Sequence, residues 1–143
     1  MCIVKPAIGS FGNDVLLLRF SDIAKKSKHL RVLLQEHDLL LQPFFSSVKT
    51  RGELSLIYLN GEFSHAIKKV PANGDFKVQG GRVELYQPVA AELQLAQTTL
   101  QASSACIYST IKPLTTFLYA RVDLLFSNTG NELFVSEVEI LGI

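Results

Sequence analysis

Near the end of the chain, two short apolar stretches carry charge at alternate positions: Arg121 and Asp123 in "YARVDLLF", Glu137 and Glu139 in "LFVSEVEI". Both read as strands, and in a strand residues two apart point to the same face. The turn sequence "NTGN" between them makes an antiparallel pair, which brings Asp123 near the two glutamates. Carboxylates gathered in this way repel, and burying one uncompensated is costly or shifts its pKa until it neutralises. A positive partner is therefore expected among them. Hard carboxylate oxygens suit Mg²⁺, which takes a few of them and completes its shell with phosphate oxygens and water. Arg121 would then contact phosphate. The other reading is the solvated polar side of a half-exposed antiparallel sheet. These residues alone leave both open.

A second feature suited to phosphate lies at the opposite end. Lys5 closes a strand-like "CIVK" and opens the loop "PAIGSFG". A glycine-containing loop lets backbone N–H groups approach phosphate oxygens, and a lysine adds charge. The loop lacks the GK[ST] ending of a P-loop, and Lys5 reads equally well as a solvated strand end. His65 in "FSHA" is expected to be packed or hydrogen-bonded, and His29 and His37 to lie on a helix surface. Ser64 has no base at an interpretable spacing, so a nucleophilic hydrolase is not indicated.

These side chains need a scaffold, and 143 residues suffice for one domain with a real core. With 48% apolar residues and nine Phe the composition is globular. A net charge of +1 gives no reason to expect nucleic acid or a membrane surface as partner, and "KKSKHLR" reads as a solvated helix face. No apolar run reaches the ~18 residues of a membrane span, and "MCIVKPAIGS" has no h-region of signal-peptide length. Cys2 and Cys106 lack metal-ligand spacing and read as buried free thiols. A cytoplasmic protein is the expectation.

The pattern of elements is mixed. "MCIVK" and "DVLLLRF" (14–20) read as strands, 22–35 as a helix, and "LLLQPFF" (39–45) as a buried strand whose Pro43 marks an end or edge. In "ELSLIYLNGEFSHAIKKV", alternation on both sides of Asn60-Gly61 predicts a hairpin with a type I′ turn. Short strands "FKVQ" and "RVELY" follow, then a helix from Pro88 to about residue 103, then the charged strand pair. Strands and helices do not alternate strictly, so the predicted class is α+β, with mainly antiparallel sheets and two principal helices.

Taken together, "IVKPAIGSFGNDV", "LLQPFF…RGELSLIYLNGEFSHAIKKVPANGDFKVQGG" and "YARVDLLF…LFVSEVEI" resemble the ATP-grasp superfamily, nearest to its glutathione synthetase and ribosomal-protein-S6 glutamate ligase branch. The resemblance spans nearly the whole chain, and its combination of motifs is more specific than any single piece. It implies that 1–45 form part of a nucleotide-covering subdomain, and 46–143 a C-terminal nucleotide- and metal-binding subdomain. It also implies roles. Lys5 would reach nucleotide phosphate beneath a covering loop; Gln42 and the backbone near Phe44 would face adenine; Glu53 would contact ribose or neighbouring polar groups. Lys77, where relatives usually carry Arg, and Arg121 would serve the transferring phosphoryl group. Asp123, Glu137 and Glu139 would hold Mg²⁺ with ATP.

Family members usually carry an N-terminal substrate domain and further elements before the Lys5 strand. The chain is therefore expected to be the C-terminal part of an ATP-dependent carboxylate–amine or carboxylate–thiol ligase acting through an acylphosphate. Its substrates would be small-molecule or peptide carboxylates and amines. An apolar patch along "CIV" would then be left for a homodimer partner or a chain supplying the missing lobe. A non-catalytic nucleotide-binding or interaction module derived from such a ligase is the competing expectation, and a purely structural α+β domain a third.

Overall fold

The computed structural model describes residues 1–8, 12–73, 75–108 and 117–140. They form an α+β fold of two compact units, Met1–Phe45 and Ser46–Ile143. Every strand pairing is antiparallel.

In the first unit, β1 (Cys2–Pro6) lies between β2 (Leu16–Leu18) and β3 (Leu39–Pro43). Cys2, Val4 and Leu18 form a small core against which Leu30 of α1 (Ile23–Glu36) and Leu39 pack. "CIV" is therefore the buried centre of this sheet, and the apolar patch expected there is not present: strands on both sides cover it. Strand β2 is shorter than the predicted 14–20, because Asp14 has a positive φ of 56° and a 3-10 turn begins at Phe20. Strand β3 ends at Pro43 and is an edge, with Leu40 and Leu41 exposed instead of buried. Among the described residues no strand pairs with its outer side, which is where a proline is tolerated. Residues 9–11 of the loop after Lys5 lie outside the described residues.

The second unit is a five-stranded sheet in the order β6-β5-β4-β7-β8. It follows a single-turn α2 (Val48–Arg51) and comprises β4 (Glu53–Leu59), β5 (Glu62–Val70), β6 (Arg82–Tyr86), β7 (Tyr119–Phe126) and β8 (Leu133–Ile140). Asn60 and Gly61 both take positive φ, 51° and 80°, as a type I′ hairpin turn requires. Helix α3 (Ala90–Tyr108) packs Ala96 and Leu100 on Leu54, Leu56, Ala66, Val122 and Leu124, all buried. Each large side chain so covered contributes roughly 1.5–3 kcal/mol. Glu92, in the first turn of α3, accepts from the Val89 amide at 2.9 Å and from Tyr86 Oη at 3.1 Å, which starts the helix and ties it to the end of β6. The helix runs beyond the predicted 103, and Cys106 near its end is exposed where a buried thiol was expected.

"FKVQ" is not a strand. The Asp75 carboxylate accepts from the amides of Phe76 and Lys77 at 2.7 and 3.2 Å, turning the chain locally instead of letting it join the sheet. Gly81 then closes back on β5 so tightly that a Cβ would stand 2.0 Å from the Val70 carbonyl oxygen.

Two irregularities decide what the second face of this sheet displays. The β4–β5 ladder slips between Ile57 and Tyr58, and the β7–β8 ladder between Asp123 and Leu124. In β8 the extra residue is Ser136: Leu124 pairs with Val135, but Asp123 pairs with Glu137. Beyond that bulge Arg121 stands opposite Glu139, so both glutamates share a face with Arg121 and Asp123, away from α3.

Candidate functional site

Pairing across β5, β4, β7 and β8 places Lys69, Glu53, Ser55, Asp123, Arg121, Glu137 and Glu139 on one face. Arg121 is at its centre. Its Nε donates to both Asp123 oxygens at 3.0 Å, and its Nη2 lies 2.9 Å from Oδ2. Arg121 Nη1 pairs with Glu139, and Nη2 reaches Glu137 at 4.0 Å. Burial opposes the guanidinium charge, but the hydrogen bond and charge of Asp123 outweigh it and hold Arg121 above its ordinary range.

A second cation completes the network. Lys69 Nζ lies 3.2 Å from Glu53 Oε1 and 3.6 Å from Asp123 Oδ1. Burial and the charge of Asp123 push the Glu53 carboxyl up from its ordinary value, against the pull of Lys69. Ser55 Oγ donates to Asp123 Oδ1 at 2.5 Å, and Ser136 Oγ to the Asp123 carbonyl at 3.2 Å and Glu53 Oε2 at 3.4 Å. The positive object expected among the acids is thus present in the chain itself, as Arg121 and Lys69.

The structure brings Glu53, Arg121, Asp123, Glu137 and Glu139 into one cluster. Lys77 lies in the irregular segment after β5, half-buried. Lys5, Gln42 and Phe44 belong to the first unit, where Lys5 pairs with Leu40, Gln42 with Ile3, and Phe44 is buried. His65 is exposed and shares a 3.1 Å hydrogen bond with Ser64 Oγ. Lys69, Ser55 and Ser136 were not singled out from the sequence, although Ser55 alternates with Glu53 and Lys69 is the last residue but one of the partner strand.

Chemically, the cluster offers hard anionic oxygens balanced by two cations, a donor set of the type that suits Mg²⁺. As folded, no three acidic, imidazole or thiol groups among the described residues are placed to enclose a metal ion; Arg121 occupies their charge instead. A separate open hollow of about 550 Å³, lined by Ser46, Lys49, Arg51 and Asn128 among others, contains none of these residues. Its Arg51 is already engaged, lying 3.3 Å over the Phe126 ring and donating to the Gly130 carbonyl at 2.8 Å.

No protein-family profile matches the sequence. The chain is 37% identical over 68 residues to the cycloserine biosynthesis protein DcsG of Streptomyces lavendulae, covering 47% of this chain and 23% of that protein. The crystal structure of D-cycloserine synthetase DcsG superposes with a TM-score of 0.79 at 28% identity, over 97% of this chain and 47% of that one. The D-alanine–D-alanine ligase of Bacillus anthracis, complexed with ATP, aligns at a TM-score of 0.60 and 18% identity over 98% of this chain and 41% of that one. The ATP-grasp ligase PsnB, complexed with a variant of its minimal precursor, Mg and ADP, aligns at 0.62 and 16% over 96% and 37%. The last two likenesses bear on the fold alone. In every case the chain spans less than half of the protein it matches.

Proposed function

We propose that this chain, which has the fold of ATP-grasp ligases, is the nucleotide- and metal-handling part of an ATP-dependent ligase that joins a carboxylate to an amine or thiol. The observation that carries this reading is the bulge-set register that places Arg121, Asp123, Glu137 and Glu139 on one sheet face. Asp123, Glu137 and Glu139 would hold Mg²⁺, whose chemistry here is to neutralise phosphate charge. Arg121 would move from its carboxylates onto the transferring phosphoryl group, where a fixed guanidinium stabilises developing charge. Glu53 would contact ribose or neighbouring polar groups, and Lys77 would face phosphate or the acylphosphate. For Lys5 the proposed role is contact with phosphate, and for Gln42 and the backbone near Phe44 contact with adenine. In the same proposal the substrate carboxylate attacks the γ-phosphorus of ATP, giving an acylphosphate and releasing ADP.

The substrates are proposed to be amino-acid-like or peptide carboxylates and amines, in keeping with a D-cycloserine synthetase, a D-alanine–D-alanine ligase and a precursor-bound ligase among the matches. These matches do not favour the glutathione synthetase branch over others. Among the described residues no helix is long and apolar enough to cross a membrane, and both cysteines are free thiols, in keeping with a cytoplasmic setting. Acceptor positioning accounts for up to roughly 7–11 kcal/mol of such a barrier. It is assigned here to parts of the ligase beyond the matched portion, whether in the same polypeptide, a second copy or a partner chain.

A second reading, a nucleotide-binding module without catalysis, is favoured by one fact: the acids already have their cations. Titration calorimetry with Mg·ATP, followed by ADP assays with amino-acid and peptide acceptors, tests both. Saturable binding with little ligation by the chain alone is expected. Absence of binding defeats both readings, and ligation at an enzymatic rate defeats the assignment of acceptor positioning elsewhere.

A further inference from the structure

The two carboxylate oxygens of Asp123, a residue only 1% exposed, are held in different ways. Oδ1 accepts from Ser55 Oγ at 2.5 Å and from Arg121 Nε at 3.0 Å, with Lys69 Nζ at 3.6 Å. Oδ2 takes its contacts from Arg121, at 3.0 Å from Nε and 2.9 Å from Nη2. Arg121 is in turn divided among Asp123, Glu137 and Glu139. One oxygen is therefore tied to neighbouring strands, and the other to a side chain that the proposed chemistry draws elsewhere.

A buried carboxylate stripped of its only cation is strongly disfavoured, so Arg121 can leave only if charge remains or arrives. Lys69 supplies charge that remains. It is anchored on Glu53 at 3.2 Å and belongs to β5, so it does not depend on where Arg121 goes. Ser55 is 0% exposed, and its hydroxyl has Asp123 as acceptor in place of water. Ser136 fastens the Asp123 carbonyl and Glu53 together from the bulge.

On the basis of the Mg·ATP reading above, we infer that Ser55 and Lys69 are positioning residues that keep Oδ1 of Asp123 fixed while Oδ2 exchanges Arg121 for a divalent cation. Neither touches the reacting atoms in this role. Groups that orient a metal-binding side chain typically contribute about ten- to a hundredfold in metal affinity.

The experiment compares the unsubstituted chain with Ser55→Ala, Lys69→Met and Lys69→Arg. Affinity for ATP is measured twice, with excess Mg²⁺ and with EDTA, alongside thermal midpoints. The unsubstituted chain is expected to prefer Mg·ATP. Ser55→Ala and Lys69→Met should lose about ten- to a hundredfold of Mg·ATP affinity while metal-free affinity changes little, and Lys69→Arg should recover most of the preference. Variants that keep the original ratio overturn the inference. So do equal losses with and without metal, because a merely structural role acts on both. If Lys69→Met does not fold, the near-isosteric Ser55→Ala decides by the same criterion. Failure of the unsubstituted chain to bind ATP under either condition overturns the functional reading, and this inference with it; that outcome is distinct from binding with an unaltered ratio.

Discussion

Arg121 is what the buried Asp123 relies on before any ligand arrives. Replacing it by Met would leave Asp123 with Ser55 and a lysine 3.6 Å away. Breaking a buried pair from one side costs about 3–5 kcal/mol; with Lys69 still present, about 2 kcal/mol is expected for Arg121→Met. In urea unfolding, Arg121→Met and Asp123→Asn together should destabilise less than the sum of the two alone. A strictly additive double variant would mean that the pair is not energetically coupled. The acids and Arg121 were legible because alternation within one strand is a property of sequence alone. Lys69 and Ser55 were not, since their role depends on lateral neighbours across three strands.

Elements carry the next level of information, and bulges are where plain counting goes astray. Counting outward from Asn60-Gly61 pairs Glu53 with Lys68, but the slip in the ladder gives it Lys69. Counting outward from the β7–β8 turn pairs Asp123 with Ser136 and would turn Glu137 toward α3; the bulge reverses this. An unusual consequence follows for deletions. Removing Ser136 takes out the extra residue and leaves Glu137 opposite Asp123, so a loss of only about 1–2 kcal/mol, the hydroxyl's hydrogen bonds, is expected. Removing Val138 would put Glu139 opposite the fully buried Val122, burying an unpaired charge, and should abolish cooperative folding. Circular-dichroism melts compare the two; equal tolerance would contradict the register argument. The hairpin turn, both long helices and the strand pair were readable from periodicity. "FKVQ" misled because its β-forming residues say nothing about the Asp75 carboxylate that turns the chain before them.

At the junction of β6 and α3, burial and the Glu92 charge and hydrogen bond push the Tyr86 phenol up from its ordinary value. A phenol raised in the fold supports stability fully below its unfolded value, near 10, and that support is lost as pH rises through the raised value. Tyr86→Phe should therefore lose less stability than the unsubstituted chain as pH rises above about 10, read as the shift in urea midpoint. Parallel pH curves for the two would rule out this linkage.

On the scale of the molecule, the fold class could be read from the order of elements because helices are few and strands follow one another. What could not be read is which surfaces each unit covers. "CIV" suggested an apolar patch left for a partner, yet it is the buried middle of a sheet because both later strands of that unit return to it. The charged face of the second unit bears four carboxylates, Glu53, Asp123, Glu137 and Glu139, against two cations, Lys69 and Arg121. Seen from solvent it is therefore an anionic surface, and its influence extends over roughly a Debye length, about 10 Å at 0.1 M salt. A bare triphosphate approaching it is slowed, whereas one that has already taken up a divalent cation carries less of the charge that this face repels. In stopped-flow mixing, raising ionic strength should accelerate association of metal-free ATP and change that of Mg·ATP much less; equal salt dependence would count against it. The imbalance of two charges would then act as a sorting step in time: the face delays the unmetallated nucleotide before any residue has touched it.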